Sequence, residues 1–188
     1  MLLAAVFPTP FYQGKCKVGS NLHDDWIGVH VEQLFSNATG LQFKVINDAD
    51  AAGLAEMSFG AGKDKPGVVA VITLGTGIGS GLFLDGKLIP NTEFGHLRYK
   101  NKPFEKYTAD SVRLAEELSY KKWGKRLNKY FKRVELIISP DFIIIGGSPS
   151  KNLNKFSRHL KSKAQILPAE NKNEAGIIGA ALAARSLL

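Results

Sequence analysis

Short runs of apolar residues divide the chain, and each is closed by polar residues or glycine. The longest, Val68–Leu74, is almost wholly β-branched, which is typical of a strand covered on both faces of a sheet. Similar runs predict strands at Leu2–Phe7, Phe43–Ile46 and Phe142–Ile145. Asp85-Gly86 stands between two further apolar stretches, and this dipeptide favours a type I′ hairpin turn.

Amphipathic stretches between these runs predict helices. Apolar residues recur at helical spacing over 25–39, 51–60 and 108–138, with polar and charged residues between them. A final helix is predicted over 174–187, with Asn173 as its N-cap. Because strands and helices are interleaved and one pair of strands forms a hairpin, the pattern predicts an α/β fold with a mixed sheet and helices on its faces.

Composition narrows the class of protein. The chain has 188 residues, 44% hydrophobic and 22% charged, so we expect a globular protein with one sizeable domain or two small lobes. No apolar run approaches the roughly 20 residues that span a bilayer, and we expect no membrane partner. Cys16 is the only cysteine, which excludes an internal disulfide and a cysteine-bound zinc and favours a cytoplasmic location. The net charge of +8 favours polyanionic partners.

Glycine alternates with other residues directly after the longest apolar run, at Gly75, Gly77, Gly79 and Gly81. The bare backbone N–H groups of such a turn can approach a phosphate closely. Rossmann and Walker loops need a helix immediately afterwards, whereas this loop leads into another strand, so neither fits. A glycine-rich turn without a ligand is the alternative, but the preferred interpretation is a phosphate loop between two strands.

Two polar segments are candidates for a substrate site. Asn47 and Asp48 stand where a predicted strand ends and a helix begins, and ligands gather at such strand ends in α/β sheets. Asp48 there can accept a proton from a substrate hydroxyl, although Asn and Asp are equally the usual helix caps. Glu93 and His96 follow the hairpin and can hydrogen-bond several hydroxyls, although a solvated polar loop explains them as well.

Together these segments form a recognisable order along the chain. They are 47–56, 73–80, 90–96, 145–147 and 173–181, preceded by Asn21-Leu22 and Asp25-Trp-Ile-Gly28. On these residues the chain resembles the ROK sugar kinases, and within them the polyphosphate glucokinase branch, from Phe7 to the C-terminus. The resemblance implies an actin-like, ATPase-type α/β fold with mixed sheets.

The resemblance also implies roles for individual residues. Asp48 matches the catalytic base that takes the proton of the glucose 6-hydroxyl. The residues that match ligands of the sugar hydroxyls are Asn47, Asp48, Glu93, His96 and Glu105. Those that match the loops around the phosphoryl donor are Gly75, Thr76, Gly77, Gly146 and Gly147. Most ROK proteins carry a cysteine-rich zinc site after the Gly-His pair, and the stretch 97–104 without cysteine is similar to the polyphosphate-using branch. No protein-bound zinc is therefore expected, and Mg²⁺ would be held mainly through the donor phosphates.

The resemblance also predicts how the chain is organised. The family opens with an Asp-containing, glycine-rich first phosphate loop, which nothing in this chain matches, so we expect an incomplete N-terminal lobe. Residues 1–50 are predicted as the remainder of the small N-terminal lobe and 51–188 as the C-terminal lobe, with the last helix packing back on the small lobe. Ser148-Pro149 departs from the usual continuation of the Gly-Gly pair. A homodimer is what the family implies.

Basic residues form a stripe within the predicted helix over 108–138. Lys122, Arg126, Lys129 and Arg133, called the basic stripe below, are spaced four, three and four apart and so share one helix face. A chain of phosphates would be attracted to this face, as it is to basic surfaces that bind nucleic acids. An ordinary solvated helix face is the alternative, and the sequence leaves both open.

Three functional hypotheses follow. The first is a transferase of carbohydrate metabolism and glycolysis: a glucokinase that phosphorylates glucose from polyphosphate, ATP or both. The second is a non-catalytic sugar-binding or regulatory protein. The retained Asp48 favours the enzyme, and the absent first phosphate loop favours the binder. The third is a nucleic-acid binder, which only the charge supports, since no helix-turn-helix or aromatic-interleaved basic motif is present. We therefore expect no nucleic-acid partner.

Overall fold

The computed structural model describes residues 2–17, 22–171 and 174–185. Its strands are β1 (Leu2–Phe7), β2 (Phe11–Tyr12), β3 (Lys15–Cys16), β4 (Gln42–Asn47), β5 (Val68–Leu74), β6 (Ile78–Leu84), β7 (Lys87–Ile89), β8 (Arg98–Tyr99), β9 (Lys102–Pro103), β10 (Phe142–Gly146) and β11 (Gln165–Pro168). Its helices are α1 (Val31–Thr39), α2 (Asp48–Phe59), α3 (Glu105–Thr108), α4 (Asp110–Ala115), α5 (Tyr120–Ile138), α6 (Leu153–Phe156) and α7 (Ala175–Arg185). The predicted cap Asn173, and Asn21 of the resemblance, lie outside the described residues.

A five-stranded mixed sheet in the order β11-β10-β5-β6-β7 forms the centre of the molecule. β10 runs parallel to β5 and β11, whereas β5, β6 and β7 are antiparallel neighbours. Along β5, Val69 and Val71 belong to one apolar cluster, and Ile72 and Leu74 belong to another. Both faces of the strand are therefore buried, which explains a continuous apolar run in place of alternation.

Helices cover the two faces of this sheet. On one face α5 contributes Trp123, Leu127 and Phe131, which recur every four residues and are almost fully buried. On the other face Leu54 and Met57 of α2 pack against the sheet. The mixed sheet with helices on its faces is the predicted architecture. Among the described residues, no helix is long and apolar enough to cross a lipid bilayer.

Two turns bring the functional segments to one edge of this sheet. The glycine loop joins β5 to β6 strand to strand, as predicted. Asp85 and Gly86 have φ values of 48° and 77°, and two positive φ angles are what a type I′ hairpin requires. Because β5 and β10 are parallel, Leu74 and Gly146 end their strands side by side, and a glycine loop follows each.

A second, smaller sheet consists of β1 and β4, which are parallel and paired over six residues each. Helix α1 and the β2–β3 ribbon pack against it and bury Val31 and Val45. Helix α7 lies against both β1 and α2. Its approach to α2 is so close that a Cβ on Gly179 would lie 1.8 Å from the carbonyl oxygen of Ala51. Since α2 begins at Asp48, it spans the boundary expected near residue 50, and the division into two lobes stays a prediction.

Two of the predicted helices are wrong in extent. The segment 25–39 forms a 3-10 turn at Asp24–Trp26 and then α1, because Gly28 between them has a φ of 82°. The segment 108–138 is divided between the end of α3, α4 and α5. Glu117 has a φ of 48° after α4, and the Ser119 hydroxyl accepts the N–H of Lys122 as the cap of α5. A periodic apolar pattern does not reveal these single-residue interruptions.

Candidate active site

A cavity of about 710 Å³ opens between the ends of β4 and β5 and the loop that follows β7. Most of the residues singled out in the sequence line it: Asn47, Asp48, Gly75, Thr76, Gly77, Glu93, His96, Glu105 and Gly147. Gly146 lines a smaller adjacent cavity of about 120 Å³, to which Gly147 also contributes. The fold thus brings together residues between positions 47 and 147 that the sequence presents as separate motifs.

Asn47 and Asp48 are placed by the junction of β4 with α2. The Asn47 side-chain oxygen caps α2, accepting the backbone N–H groups of Ala49 at 2.9 Å and Asp50 at 3.1 Å. The cap alternative is therefore correct for this oxygen, while the amide NH₂ of Asn47 still has two protons to donate. One Asp48 oxygen accepts the N–H of Ala49 at 2.8 Å. The Asp48 side chain is exposed to the cavity, yet surrounding protein desolvates its carboxyl group and raises its pKa.

Glu93 and His96, which also line the cavity, form a hydrogen-bonded pair in the loop after β7. The Glu93 Oε2 atom lies 2.9 Å from His96 Nδ1. Burial raises the pKa of Glu93, and the bond from His96 opposes that shift. The loop is anchored to β6 through Ser80, whose hydroxyl donates to the carbonyl of Thr92 at 2.6 Å and accepts the N–H of Phe94 at 3.0 Å. Glu93 is thus held between two anchored residues.

Glu105 closes the cavity from the start of α3. Its Oε2 atom accepts the backbone N–H of Ile78 at 3.4 Å, and its Oε1 atom lies 3.5 Å from the Lys106 ammonium. The carboxylates of Asp48 and Glu105 also raise the pKa of Glu93, though less than burial does. The cavity therefore has three carboxylates, one amide and one imidazole on its walls, a set suited to a ligand with several hydroxyl groups.

The two glycine loops lie next to each other, and both contribute residues to the cavity lining. In the first, the carbonyls of Gly75 and Thr76 accept hydrogen bonds from the backbone and hydroxyl of Ser111 at 3.1 and 2.6 Å. In the second, Gly147 has a φ of 82°, and a Cβ at this position would lie 2.1 Å from the carbonyl oxygen of Leu74. Only glycine permits this close approach, which joins the loop after β10 to the end of β5.

The basic stripe lies on α5 outside the cavity lining, and its four members are not equivalent. Arg126 bonds Glu116 at 2.6 Å and stacks over the Tyr107 ring at 4.5 Å. Lys129 bonds the hydroxyl of Tyr99 at 3.2 Å, which lowers the pKa of that tyrosine. Lys122 and Arg133 are exposed. The charge of Arg126 is therefore already paired, and the polyanion surface stays a prediction.

Several residues of the site carry no signal in the sequence. Lys106 lines the cavity beside Glu105, but one lysine among many does not stand out. Ser80 and Thr92 exchange two hydrogen bonds, since Thr92 also donates to the carbonyl of Ser80 at 3.0 Å. Their separation of 12 positions follows from the β6–β7 hairpin and from no local periodicity. Asp50 belongs to the 47–56 segment, but only the fold shows that it is buried.

Comparison with known proteins identifies the family of this chain. The family model described as the ROK family matches residues 2–108, more than half of the chain. The chain belongs to the ROK family. A polyphosphate glucokinase of Mycobacterium tuberculosis is 40% identical over 182 residues, which cover 96% of this chain and 69% of that protein.

Solved structures agree on the fold of this ROK chain. The crystal structure of an inorganic polyphosphate/ATP-glucomannokinase from Arthrobacter sp. strain KM superposes with a TM-score of 0.91 at 39% identity, covering 97% of this chain and 72% of that one. A ROK family glucokinase from Streptomyces griseus, in complex with glucose and AMPPNP, superposes with a TM-score of 0.77 at 22% identity, covering 95% and 79%. The second likeness shows the fold alone. The predicted actin-like fold is confirmed, and the chain is shorter than these relatives.

Proposed function

We propose that this ROK chain phosphorylates glucose at its 6-hydroxyl, with polyphosphate, ATP or both as phosphoryl donor. The observation that carries the proposal is the position of Asp48, whose side chain lines one cavity together with the candidate hydroxyl-binding groups and residues of both glycine loops. A base between an alcohol and a phosphoryl donor is what this reaction requires of a protein. The names of the relatives support the same substrates.

The sugar would be held by the polar walls of the cavity. Asn47 can donate through its amide, and Glu93 and Glu105 can accept from hydroxyl groups while His96 holds the Glu93 carboxylate in place. Asp48 accepts the proton of the attacking hydroxyl, and its raised pKa makes the carboxylate a stronger proton acceptor. Because α2, β6 and α3 fix these side chains, the protein would contribute to catalysis mainly by positioning the sugar.

The donor would lie over the loops at Gly75–Gly77 and Gly146–Gly147, because backbone N–H groups of glycine-rich loops can approach a phosphate closely. Among the described residues there is no cluster of three His, Cys, Asp or Glu side chains that could hold a metal ion. We infer from the family resemblance that Mg²⁺ would be held mainly by phosphate oxygens of the donor and by water. When bound, it neutralises charge on the phosphates.

For polyphosphate, the exposed part of the basic stripe is the candidate contact. Lys122, Lys129 and Arg133 can each neutralise phosphates of a long donor, whereas Arg126 is engaged with Glu116. Neutralisation of many phosphates releases counterions, so polyphosphate binding should weaken steeply as salt rises. A triphosphate offers too few charges to show the same dependence. Polyphosphate should accordingly bind more tightly than ATP at low salt.

Oligomeric state and location belong to the same proposal. We infer a homodimer from the family resemblance, and sedimentation of the purified chain measures it directly. A cytoplasmic location remains an inference from the single cysteine at Cys16 and the family resemblance. Neither inference bears on the catalytic arrangement.

The experiment that tests the proposal is a coupled assay of glucose 6-phosphate formation with ATP and polyphosphate side by side. Turnover with either donor supports the enzyme. Glucose binding in calorimetry without turnover with either donor would instead favour the alternative, a non-catalytic sugar-binding protein. Folded protein that neither binds millimolar glucose nor turns over would refute both functions.

A further inference from the structure

Asp50 is a buried acid that the proposed chemistry does not use. It lies in the first turn of α2 and is only 1% exposed. Its Oδ2 atom accepts the backbone N–H of Asn91 at 2.8 Å. Its Oδ1 atom is buried and has no hydrogen-bond partner among the residues that the structure describes. Burial of a charged carboxylate in such a position costs free energy, so the presence of an acid here calls for a physical reason.

Asn91 connects Asp50 to two other parts of the molecule. Its side-chain amide pairs with the backbone of Phe11, accepting the N–H and donating to the carbonyl, each at 2.8 Å. Its main chain continues directly into Thr92, which is bonded to Ser80, and then into Glu93. One carboxyl oxygen of Asp50 therefore fixes the point from which the Glu93–His96 loop departs.

The electrostatic setting of Asp50 is negative. Burial raises the pKa of Asp50 to about 7, the Asn91 bond opposes this, and the charges of Glu93 and Asp48 add to the increase. His96 lies beyond Glu93 and is hydrogen-bonded to it. On the other side, Glu32 of α1 and Lys44 of β4 line the same cavity of about 390 Å³ as Asp50 and lie 3.4 Å from each other.

We propose that Asp50 is a positioning residue that holds Glu93 in the sugar cavity through its hydrogen bond to Asn91. The proposal deepens the proposed function and rests on it only for the identity of the sugar. Asp50 does not line the sugar cavity, so it acts through the loop. The bond to the Asn91 N–H requires an acceptor oxygen at position 50. It does not require a negative charge on Asp50, which the nearby carboxylates of Glu93 and Asp48 disfavour.

Hydrogen–deuterium exchange of the ligand-free chain tests the positioning. Asp50→Asn keeps an acceptor oxygen for the Asn91 N–H, whereas Asp50→Leu has a similar size and none. We expect faster exchange across residues 91–97 in Asp50→Leu, near wild-type exchange in Asp50→Asn, and no change over the distant strand β11 in either. Folded Asp50→Leu with wild-type exchange over 91–97 would overturn the proposal. Asp50→Ala replaces the leucine variant if that variant does not fold, with the same expectation.

Glucose calorimetry on the same proteins links position to binding. Asp50→Leu should bind glucose at least about tenfold more weakly, a change equivalent to about 1.4 kcal/mol, and Asp50→Asn should restore most of the affinity. Faster exchange across residues 91–97 in Asp50→Leu with unchanged glucose affinity would contradict a role of Asp50 in glucose binding. If the wild type itself binds no glucose, the proposed function fails, but the exchange data still decide whether Asp50 positions the loop.

The proton of Asp50 gives an independent readout. A folded-state pKa of about 7 lies above the unfolded value of 3.8, so between these values the folded chain holds a proton that the unfolded chain releases. This proton contributes to the stability of the wild type below pH 4, and the contribution is lost as the pH rises toward 7. The melting temperature of Asp50→Asn minus that of wild type should therefore increase as the pH is raised from 4 to 7. A difference independent of pH would show that Asp50 carries no such proton.

Discussion

Ser80 offers the sharpest test of how the sugar loop is held. Ser80 is 2% exposed, and its hydroxyl is the partner of both the Thr92 carbonyl and the Phe94 N–H. Ser80→Ala leaves these two groups without that partner. Because each unsatisfied buried group costs roughly 1–3 kcal/mol, and these groups are partly buried, we expect a loss of about 2–4 kcal/mol in the free energy of unfolding.

Urea unfolding with linear extrapolation measures this loss, and glucose calorimetry measures the effect on Glu93, which should be weaker binding. Ser111→Ala is the matched control. Its hydroxyl also donates to a backbone carbonyl, that of Thr76 at 2.6 Å, but at an exposed position where water replaces it. We expect the control to lose less than about 1 kcal/mol. Equal losses in the two variants, or wild-type glucose affinity in Ser80→Ala, would refute the reasoning.

Two further predictions concern the donor side. Gly147→Ala should destabilise the chain by at least about 2 kcal/mol, because the new Cβ would overlap the Leu74 carbonyl and the backbone has a positive φ. Gly176→Ala in α7, where a Cβ meets nothing within 4 Å, should be neutral or stabilising; urea unfolding that gives equal values for both would contradict this. Reversal of the exposed stripe residues Lys122, Lys129 and Arg133 to Glu should weaken polyphosphate binding and flatten its salt dependence while glucose binding persists. A control with equal charge change reverses three exposed lysines elsewhere: Lys15, Lys87 and Lys161. Equal weakening in both triple variants would make the stripe ordinary surface.

The sequence predicts best where a residue type has one physical use. The β-branched run 68–74 is typical of a strand buried on both faces, and it forms β5 with those bounds. Asp85-Gly86 favours a tight turn with positive φ angles, and both residues have them. Glycine loops after two parallel strands likewise lie together because parallel strands end at one sheet edge.

Prediction fails where the use of a residue depends on a distant partner. Arg126 has the spacing of a surface stripe. However, the break in the helix between α4 and α5 places the Glu116 Oε2 atom 2.6 Å from its Nη2 atom. The burial of Asp50 depends on the Asn91 turn, 41 positions away, which no local pattern encodes.

The role of Asp48 is the central claim, and initial rates of glucose 6-phosphate formation by wild type and Asp48→Asn test it most directly. Asparagine preserves the shape and the oxygen that accepts the Ala49 N–H, but it cannot take a proton at neutral pH. We expect a loss of about 10²–10⁴-fold in turnover with either donor, while calorimetry gives a glucose affinity close to wild type. Turnover by Asp48→Asn at the wild-type rate would contradict the account and would make Asp48 no more than part of the start of α2.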